Sequence, residues 1–73
     1  MSDTAADRQL LDRVRQLMAT REERARRVMA LRVQGMPFEE IGRRLSISAG
    51  SARVIECRTR QWLKQTLHKE GLL

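Results

Sequence analysis

Residues 38–64 read FEEIGRRLSISAGSARVIECRTRQWLK, and their pattern predicts a short helix, a tight turn and a longer basic helix. Apolar side chains recur at the intervals that would bring them together at the elbow between the two helices. They are Ile41, Leu45, Ile47, Ala52 and Ile55. Gly42 lies on the face that the second helix would cross, where a residue much larger than alanine would force the helices apart. The stretch therefore predicts a helix-turn-helix.

Two serines mark the predicted turn. Ser48 is a credible N-cap of the second helix, because its side chain can accept a hydrogen bond from the backbone N–H of Gly50 or Ser51. Ser46 occupies the elbow position where many such units have glycine. We therefore expect a slightly strained turn or a turn of another type.

The overall composition indicates one small folded domain. The chain has 73 residues, of which 33% are charged and 41% hydrophobic, and no apolar run is long enough to span a membrane. Its first ten residues, MSDTAADRQL, have no apolar core segment that would suggest a secretory signal, so we expect a cytoplasmic setting. A single cysteine and a single histidine supply no disulfide and no zinc-ligand set, so no metal or cofactor is expected.

The net charge of +6 is unevenly distributed. Residues 1–40 contain eight arginines against seven acidic residues, a net of +1, whereas residues 41–73 contain seven basic residues against two acidic ones, a net of +5. The excess falls on the predicted helix-turn-helix and its extension, as expected of a surface that attracts phosphates. A solvated basic face is the alternative explanation.

Periodicity and capping signals predict an all-α fold, a small four-helix bundle containing the helix-turn-helix. Thr20 is expected to cap the second helix and Gly35 to end it. The predicted helices cover residues 5–18, 21–34, 37–45 and 49–68. We expect residues 1–73 to form a single domain, in which residues 1–19 form an N-terminal accessory helix and residues 20–70 form the helix-turn-helix unit.

The outward side of the last helix is predicted to face duplex DNA. Arg53 is the best candidate for reading a base, because arginine can form a bidentate pair with guanine. Ala49, Val54 and Cys57 offer little beyond contact with a thymine methyl group, while Arg58 and Arg60 flank this surface within reach of phosphates. The predicted DNA-binding residues are Ser48, Ala49, Gly50, Ser51, Arg53, Val54, Cys57, Arg58, Arg60, Lys64, Arg43 and Arg44.

These residues resemble region four of bacterial primary sigma factors over about residues 22–64. EEIG at residues 39–42 matches the family's entry into the motif, and a later group matches its R-x-I-E pattern and the leucine and basic residue that follow. That group is Arg53, Ile55, Glu56, Leu63 and Lys64. The upstream matches are Glu23, Arg24, Val28, Leu31 and Arg32. Extracytoplasmic sigma factors and quorum-sensing regulators share parts of the pattern less closely and remain alternatives.

The resemblance implies a free-standing region-four-like module that regulates transcription in a bacterium, plasmid or phage. The first turn of the family's recognition helix has arginine and glutamate that read the promoter, but this chain has Ala49, Gly50 and Ser51 there. Val54 replaces the glutamine that follows the shared arginine, so Arg53 alone remains of the reading set. We therefore expect modest sequence specificity.

Two functional hypotheses follow. In the first, the protein is a sequence-specific regulator that binds double-stranded DNA through Arg53, while Arg43, Arg44, Arg58, Arg60 and Lys64 hold phosphates. In the second, it mimics sigma region four and binds RNA polymerase or a sigma regulator through exposed apolar side chains. The candidates for that surface are Met29, Leu31, Val33, Met36 and Phe38, although such residues are more often part of a core.

The remaining features of the sequence give weaker indications of function. An enzyme is not expected, because Cys57 has no histidine at a plausible distance and the glutamates look like helix-start charges. Trp62 is expected to have a structural role, and Arg32 to pair with a carboxylate or extend along the core with its head in water. The N-terminal helix either packs over the bundle or forms a homodimer.

Overall fold

A computed structural model describes residues 4–73 of the chain, which fold into four α-helices and contain no β-strand. The helices are α1 (Thr4–Met18), α2 (Glu23–Val33), α3 (Phe38–Leu45) and α4 (Ala49–Lys69). The predicted all-α class is confirmed, and three of the four helices begin and end within about one residue of the predicted bounds.

The core forms where α2, α3 and α4 meet. Val28, Ile41 and Ala52 are fully buried, and each comes from a different one of these three helices. Burying a side chain the size of valine or isoleucine contributes roughly 1.5–3 kcal/mol, so these few residues matter in so small a domain. Partly buried neighbours complete the cluster: Leu31, Met36, Phe38, Leu45, Ile47 and Ile55.

The start of α2 differs from the prediction. Thr20 does not cap this helix, because its hydroxyl instead donates a hydrogen bond to the backbone carbonyl of Leu17 at 2.6 Å. The backbone N–H groups of Thr20 and Arg21 also donate backwards, to Leu17 and Met18, so these residues close the end of α1. The helix begins at Glu23, after an extended Glu22 that makes no side-chain cap. The Thr20 hydroxyl that the sequence assigned to the start of α2 therefore stabilises the end of α1 instead.

The other end of α2 follows the prediction. Gly35 has a φ of +88°, the left-handed conformation that glycine adopts without a Cβ penalty. Its N–H donates to the carbonyl of Arg32, and the N–H of Met36 donates to the carbonyl of Leu31. These bonds satisfy two of the carbonyls that an α-helix leaves open at its end.

The N-terminal helix joins the remaining bundle mainly through side chains. Leu17 is buried, and Arg13 forms a bidentate ion pair with Glu70, in which Nε and Nη2 each donate to a carboxylate oxygen at 2.7 Å. These hydrogen bonds, followed by the charge of Arg13, lower the pKa of Glu70. Both side chains remain about one-third exposed. The contact links α1 to the residue that follows α4.

Trp62 has a structural contact but is half-buried rather than central to the core. The guanidinium carbon of Arg21 lies 4.5 Å from the centroid of the indole ring. Arg26 then donates from Nη1 to the backbone carbonyl of Arg21 at 2.9 Å. Trp62 therefore supports the turn between α1 and α2.

Candidate nucleic-acid interface

The helix-turn-helix elbow depends on an unusually close approach at Gly42. A Cβ atom placed there would lie 2.6 Å from the backbone oxygen of Ile47 and 3.2 Å from the backbone nitrogen of Ala49. Real Cβ atoms do not approach oxygen so closely, and a backbone atom cannot rotate away as a side chain would. Even an alanine here would require the backbone of the elbow to shift, which is a tighter restriction than the sequence predicted.

The turn itself has the strain that Ser46 suggested. Ser46 adopts a left-handed conformation, with φ 59° and ψ 42°, and it is the only non-glycine residue with a positive φ among residues 4–73. The N–H groups of Ser46 and Ile47 both donate to the carbonyl of Gly42. A non-glycine residue in this region costs roughly 1–2 kcal/mol.

Ser48 begins α4 as predicted. Its side-chain oxygen accepts a hydrogen bond from the backbone N–H of Ser51 at 2.9 Å, which resolves the choice left open between Gly50 and Ser51. The Ser48 hydroxyl also donates to the Ser51 side-chain oxygen at 2.9 Å. Both hydroxyls therefore take part in the cap, and their first role is to fix the start of the helix.

The predicted reading surface is exposed at the N-terminal part of α4. Gly50, Ser51, Arg53 and Val54 are exposed, with Val54 at 45%. Ala49 and Cys57 are half-buried, and Cys57 is a free thiol. The structure thus leaves the outward side of this helix open along its first turns.

The opposite side of α4 faces the protein. Ala52 and Thr59 are buried, while Ile55, Trp62, Leu63 and Thr66 are half-buried. Thr59 is only 2% exposed and is the one buried polar residue identified within the described part of the chain. Since this side is occupied, a nucleic acid can approach α4 from the outward side alone.

Arg53 projects from this outward side without a carboxylate partner. None of the ion pairs within residues 4–73 involves it. Its guanidinium carbon instead lies 5.4 Å from the centroid of the Phe38 ring, which comes from the start of α3. This contact was missed in the sequence, because nothing in the spacing of residues 38 and 53 indicates it.

Arg32 meets the same ring. Its guanidinium carbon lies 4.4 Å from the Phe38 centroid, and its Nη1 donates to the backbone carbonyl of Met36 at 3.0 Å. Arg32 is exposed and has no carboxylate partner among the described residues. Of the two structural roles expected for it, the carboxylate pair is wrong.

The predicted phosphate contacts are accessible but not equivalent. Arg43 and Arg44, in the last turn of α3, are exposed, as are Arg58 and Lys64 on α4, and none of the four enters an ion pair within residues 4–73. Arg60 differs, because its Nη2 lies 3.8 Å from the carboxylate of Glu56 on the preceding turn. Arg60 is therefore the one predicted phosphate ligand that has an acidic neighbour within ion-pair distance among residues 4–73.

Two further features of the described residues bear on function. Within residues 4–73, no group of three or more His, Cys, Asp or Glu side chains is arranged to hold a metal ion. None of the described helices combines the length and apolar character that crossing a membrane requires.

A left-handed elbow, a capped second helix and an exposed arginine on its outward side define a helix-turn-helix protein. The family model for sigma-70, region 4, matches residues 17–65, and the chain belongs to this family. The resemblance noted in the sequence is thereby confirmed. Searches of curated proteins and of solved structures returned no match.

The family places the chain among DNA-binding helix-turn-helix domains that act in transcription, which is not an enzymatic class. Domains of this family are associated with contacts to DNA and to RNA polymerase. The match includes α2, α3 and most of α4, whereas residues 4–16, nearly all of α1, lie outside it.

Proposed function

We propose that the protein is a sequence-specific regulator of transcription that binds double-stranded DNA by placing α4 across the major groove. The observation that carries this proposal is the position of Arg53, which is exposed on the outward side of α4 and has no carboxylate partner within residues 4–73. Its guanidinium can form a bidentate pair with the O6 and N7 atoms of guanine.

Basic residues on both sides of this position supply the attraction to the backbone of the duplex. Arg43 and Arg44 lie at the end of α3, and Arg58 and Lys64 lie further along α4. The rise of an α-helix places Lys64 about 16 Å beyond Arg53, so the two residues would contact different parts of a duplex. Contacts to phosphates position a protein on DNA without reading its sequence.

A binding assay separates these two roles. We expect short labelled duplexes, one carrying a site selected from a random pool and one scrambled, to bind with an affinity that falls as salt rises. The logarithmic slope should be about −0.9 for each phosphate that is neutralised. Fluorescence anisotropy would measure both the slope and the ratio of the two affinities.

Two variants distinguish base reading from phosphate contact. Arg53→Ala should reduce the ratio of selected to scrambled affinity by about tenfold, since a bidentate pair is worth roughly 1–3 kcal/mol of discrimination. Lys64→Ala should weaken both duplexes equally and reduce the salt slope by about one phosphate. Arg15→Ala, an exposed charge on α1, is the matched control and should change neither quantity. Absence of binding to any duplex at low salt would refute the proposal.

A second function is favoured by an apolar groove between α1, α2 and α4. The groove has a volume of about 640 Å³, and Val33, which is 85% exposed, lies on its wall. The other apolar lining residues are Val14, Met18, Ala19, Met29, Ala30 and Leu63. Such a surface suits docking on RNA polymerase or on a sigma regulator.

The prediction of that docking surface from the sequence is only partly correct. Leu31, Met36 and Phe38 pack against the buried cluster and so belong to the core. Met29 and Val33 do line the groove. Met29 and Val33, four residues apart, share one face of α2, whereas Leu31 lies on the other side and Met36 and Phe38 come after the helix.

Val33→Asp tests the second function without disturbing the core, since Val33 is largely exposed. Under this function, the parent protein co-purifies with core RNA polymerase or a purified sigma regulator, and the variant loses that association while binding DNA normally. Val54→Asp, on the outward side of α4, is the control and should retain the association. If Val33→Asp and Val54→Asp retained the association equally, the groove would not be the docking surface.

Three further expectations complete the proposal. Residues 1–73 act as one domain in which residues 1–19 supply an accessory helix, and the cytoplasm is the setting that a transcription regulator requires. A homodimer through α1 stays a prediction, and the mass of the protein in solution would test it.

A further inference from the structure

Two arginines from different helices contact the aromatic ring of Phe38. Arg32, near the end of α2, has its guanidinium carbon 4.4 Å from the ring centroid, and Arg53, on α4, has its own at 5.4 Å. Both distances fall within the range of about 6 Å over which a cation is attracted to an aromatic face. One ring therefore connects the end of α2 with the outward side of α4.

The two arginines differ in what else holds them. Arg32 donates a hydrogen bond to the backbone carbonyl of Met36, so it is fixed at a second point. Arg53 has no ion pair within residues 4–73, and the ring of Phe38 is the side-chain group observed against its guanidinium. The position of Arg53 therefore depends on Phe38 more than that of Arg32 does.

A contact through the face of a ring suits an arginine that must read a base. The attraction acts on the charge of the guanidinium and occupies none of its five N–H donors. Those donors remain available for acceptors on a guanine. Holding a long side chain before binding also reduces the conformational entropy lost when DNA binds.

We propose that Phe38 is a positioning residue for Arg53, and that its ring holds the Arg53 guanidinium ready to read a base in the major groove. The inference rests on the proposed DNA-binding function. It assigns to α3 a part in sequence selectivity that does not require Phe38 to contact DNA. Phe38 also packs against the buried cluster, so its contribution to selectivity must be separated from its contribution to the core.

Three substitutions make that separation. Phe38→Leu keeps an apolar side chain of similar size and removes the ring, whereas Phe38→Tyr keeps the ring. Met36→Leu alters another side chain of the same cluster and leaves the ring in place, which makes it the matched control. Thermal unfolding of each variant would identify any loss of the folded state before binding is compared.

The binding experiment uses the labelled selected and scrambled duplexes with the full chain. Phe38→Leu should reduce the ratio of selected to scrambled affinity about two- to fivefold, the effect of one exposed cation–π contact. Phe38→Tyr and Met36→Leu should preserve the ratio. In a chain that already has Arg53→Ala, adding Phe38→Leu should change the ratio no further. An equal loss with and without Arg53 would show that Phe38 acts through the core alone and would overturn the inference.

A second measurement observes the contact in the absence of DNA. The NMR signal of the Arg53 Nε–H group should show a ring-current shift in the parent protein and in Phe38→Tyr, and should lose it in Phe38→Leu. Selectivity that depends on Arg53 without any such shift would overturn the positioning role and leave the proposed function intact. A clear shift in a protein that binds no duplex would overturn the proposed function, and the reading role with it.

Discussion

The helix-turn-helix and the N-terminal helix are held in place by different kinds of contact. At the elbow, the constraints involve the backbone: Gly42 leaves no room for a Cβ atom, Ser46 is left-handed, and Ser48 caps α4. By contrast, α1 is joined to the residues after α4 by the partly exposed pair of Arg13 and Glu70. The close approach at Gly42 allows almost no substitution, whereas an exposed ion pair can be lost at little cost.

The family match follows the same division. It includes the whole elbow and omits residues 4–16. The geometry that presents Arg53 is therefore built by the part of the chain that the family defines, and α1 is an addition to it. The elbow should therefore respond to substitution more strongly than the attachment of α1 does.

Gly42→Ala should destabilise the protein most. Its Cβ atom would lie 2.6 Å from the carbonyl oxygen of Ile47, so α3 and α4 must separate. Overpacking of this kind costs about 3 kcal/mol, which is a large part of the stability of a small domain. Urea unfolding followed by circular dichroism would measure the change.

Gly50→Ala is the matched control for that substitution. A Cβ atom at Gly50 meets nothing closer than the Ser48 side-chain oxygen at 3.9 Å. Since alanine favours a helix over glycine by up to about 1 kcal/mol, this variant should be as stable as the parent or slightly more so. If the two substitutions had equal effects, the elbow would not be the constrained region described above.

Ser48→Ala should have the next largest effect, because it removes the acceptor for the N–H of Ser51 at the start of α4. Loss of such a cap costs about 1 kcal/mol. Ser51→Ala keeps the backbone donor and should cost less, so the difference in urea midpoint between the two variants isolates the cap. A larger loss from Ser51→Ala would contradict this assignment.

Ser46→Gly should stabilise the protein by about 0.5–1 kcal/mol, since the left-handed penalty that it removes exceeds the conformational entropy that glycine adds to the unfolded chain. Ser46→Ala keeps a Cβ atom and should bring no such gain. Thermal unfolding of the two variants measures the difference. No gain from glycine would mean that the turn stores little strain.

Glu70→Gln should have the smallest effect on the whole domain and a local effect on α1. Because the pair with Arg13 lowers the pKa of Glu70, its stabilising contribution is present above the ordinary carboxyl pKa and is lost as the pH falls through the lower value of the folded protein. Once exchange rates are corrected for their intrinsic pH dependence, the protection of α1 amides should therefore decrease in acid in the parent protein. Glu70→Gln should show fast exchange at neutral pH already.

Asp12→Asn provides the control for this pH dependence. The nearest contact between Asp12 and Arg15 is 3.9 Å, at the limit for an ion pair, and both side chains are largely exposed. Exchange from α1 should follow the parent profile in this variant. A profile as altered as that of Glu70→Gln would mean that α1 responds to its general charge rather than to one contact.

The sequence predicted the elbow more successfully than the attachments around it. Gly42, Ser48 and the outward position of Arg53 follow from local spacing and capping rules, which act over a few residues. Thr20 does not cap α2, because its hydroxyl donates a hydrogen bond to the carbonyl of Leu17 at the end of α1. The partners of Arg13 and Arg53 depend on the folded arrangement of distant residues, which spacing along the chain does not contain.

The most direct test of the central claim is an NMR titration of the labelled protein with the selected duplex. If the outward side of α4 enters the major groove, the largest amide shifts will lie in residues 46–58, from the turn through the first part of α4, with small shifts throughout α1. Shifts concentrated in α1 or in the groove around Val33, with residues 46–58 unchanged, would contradict the account.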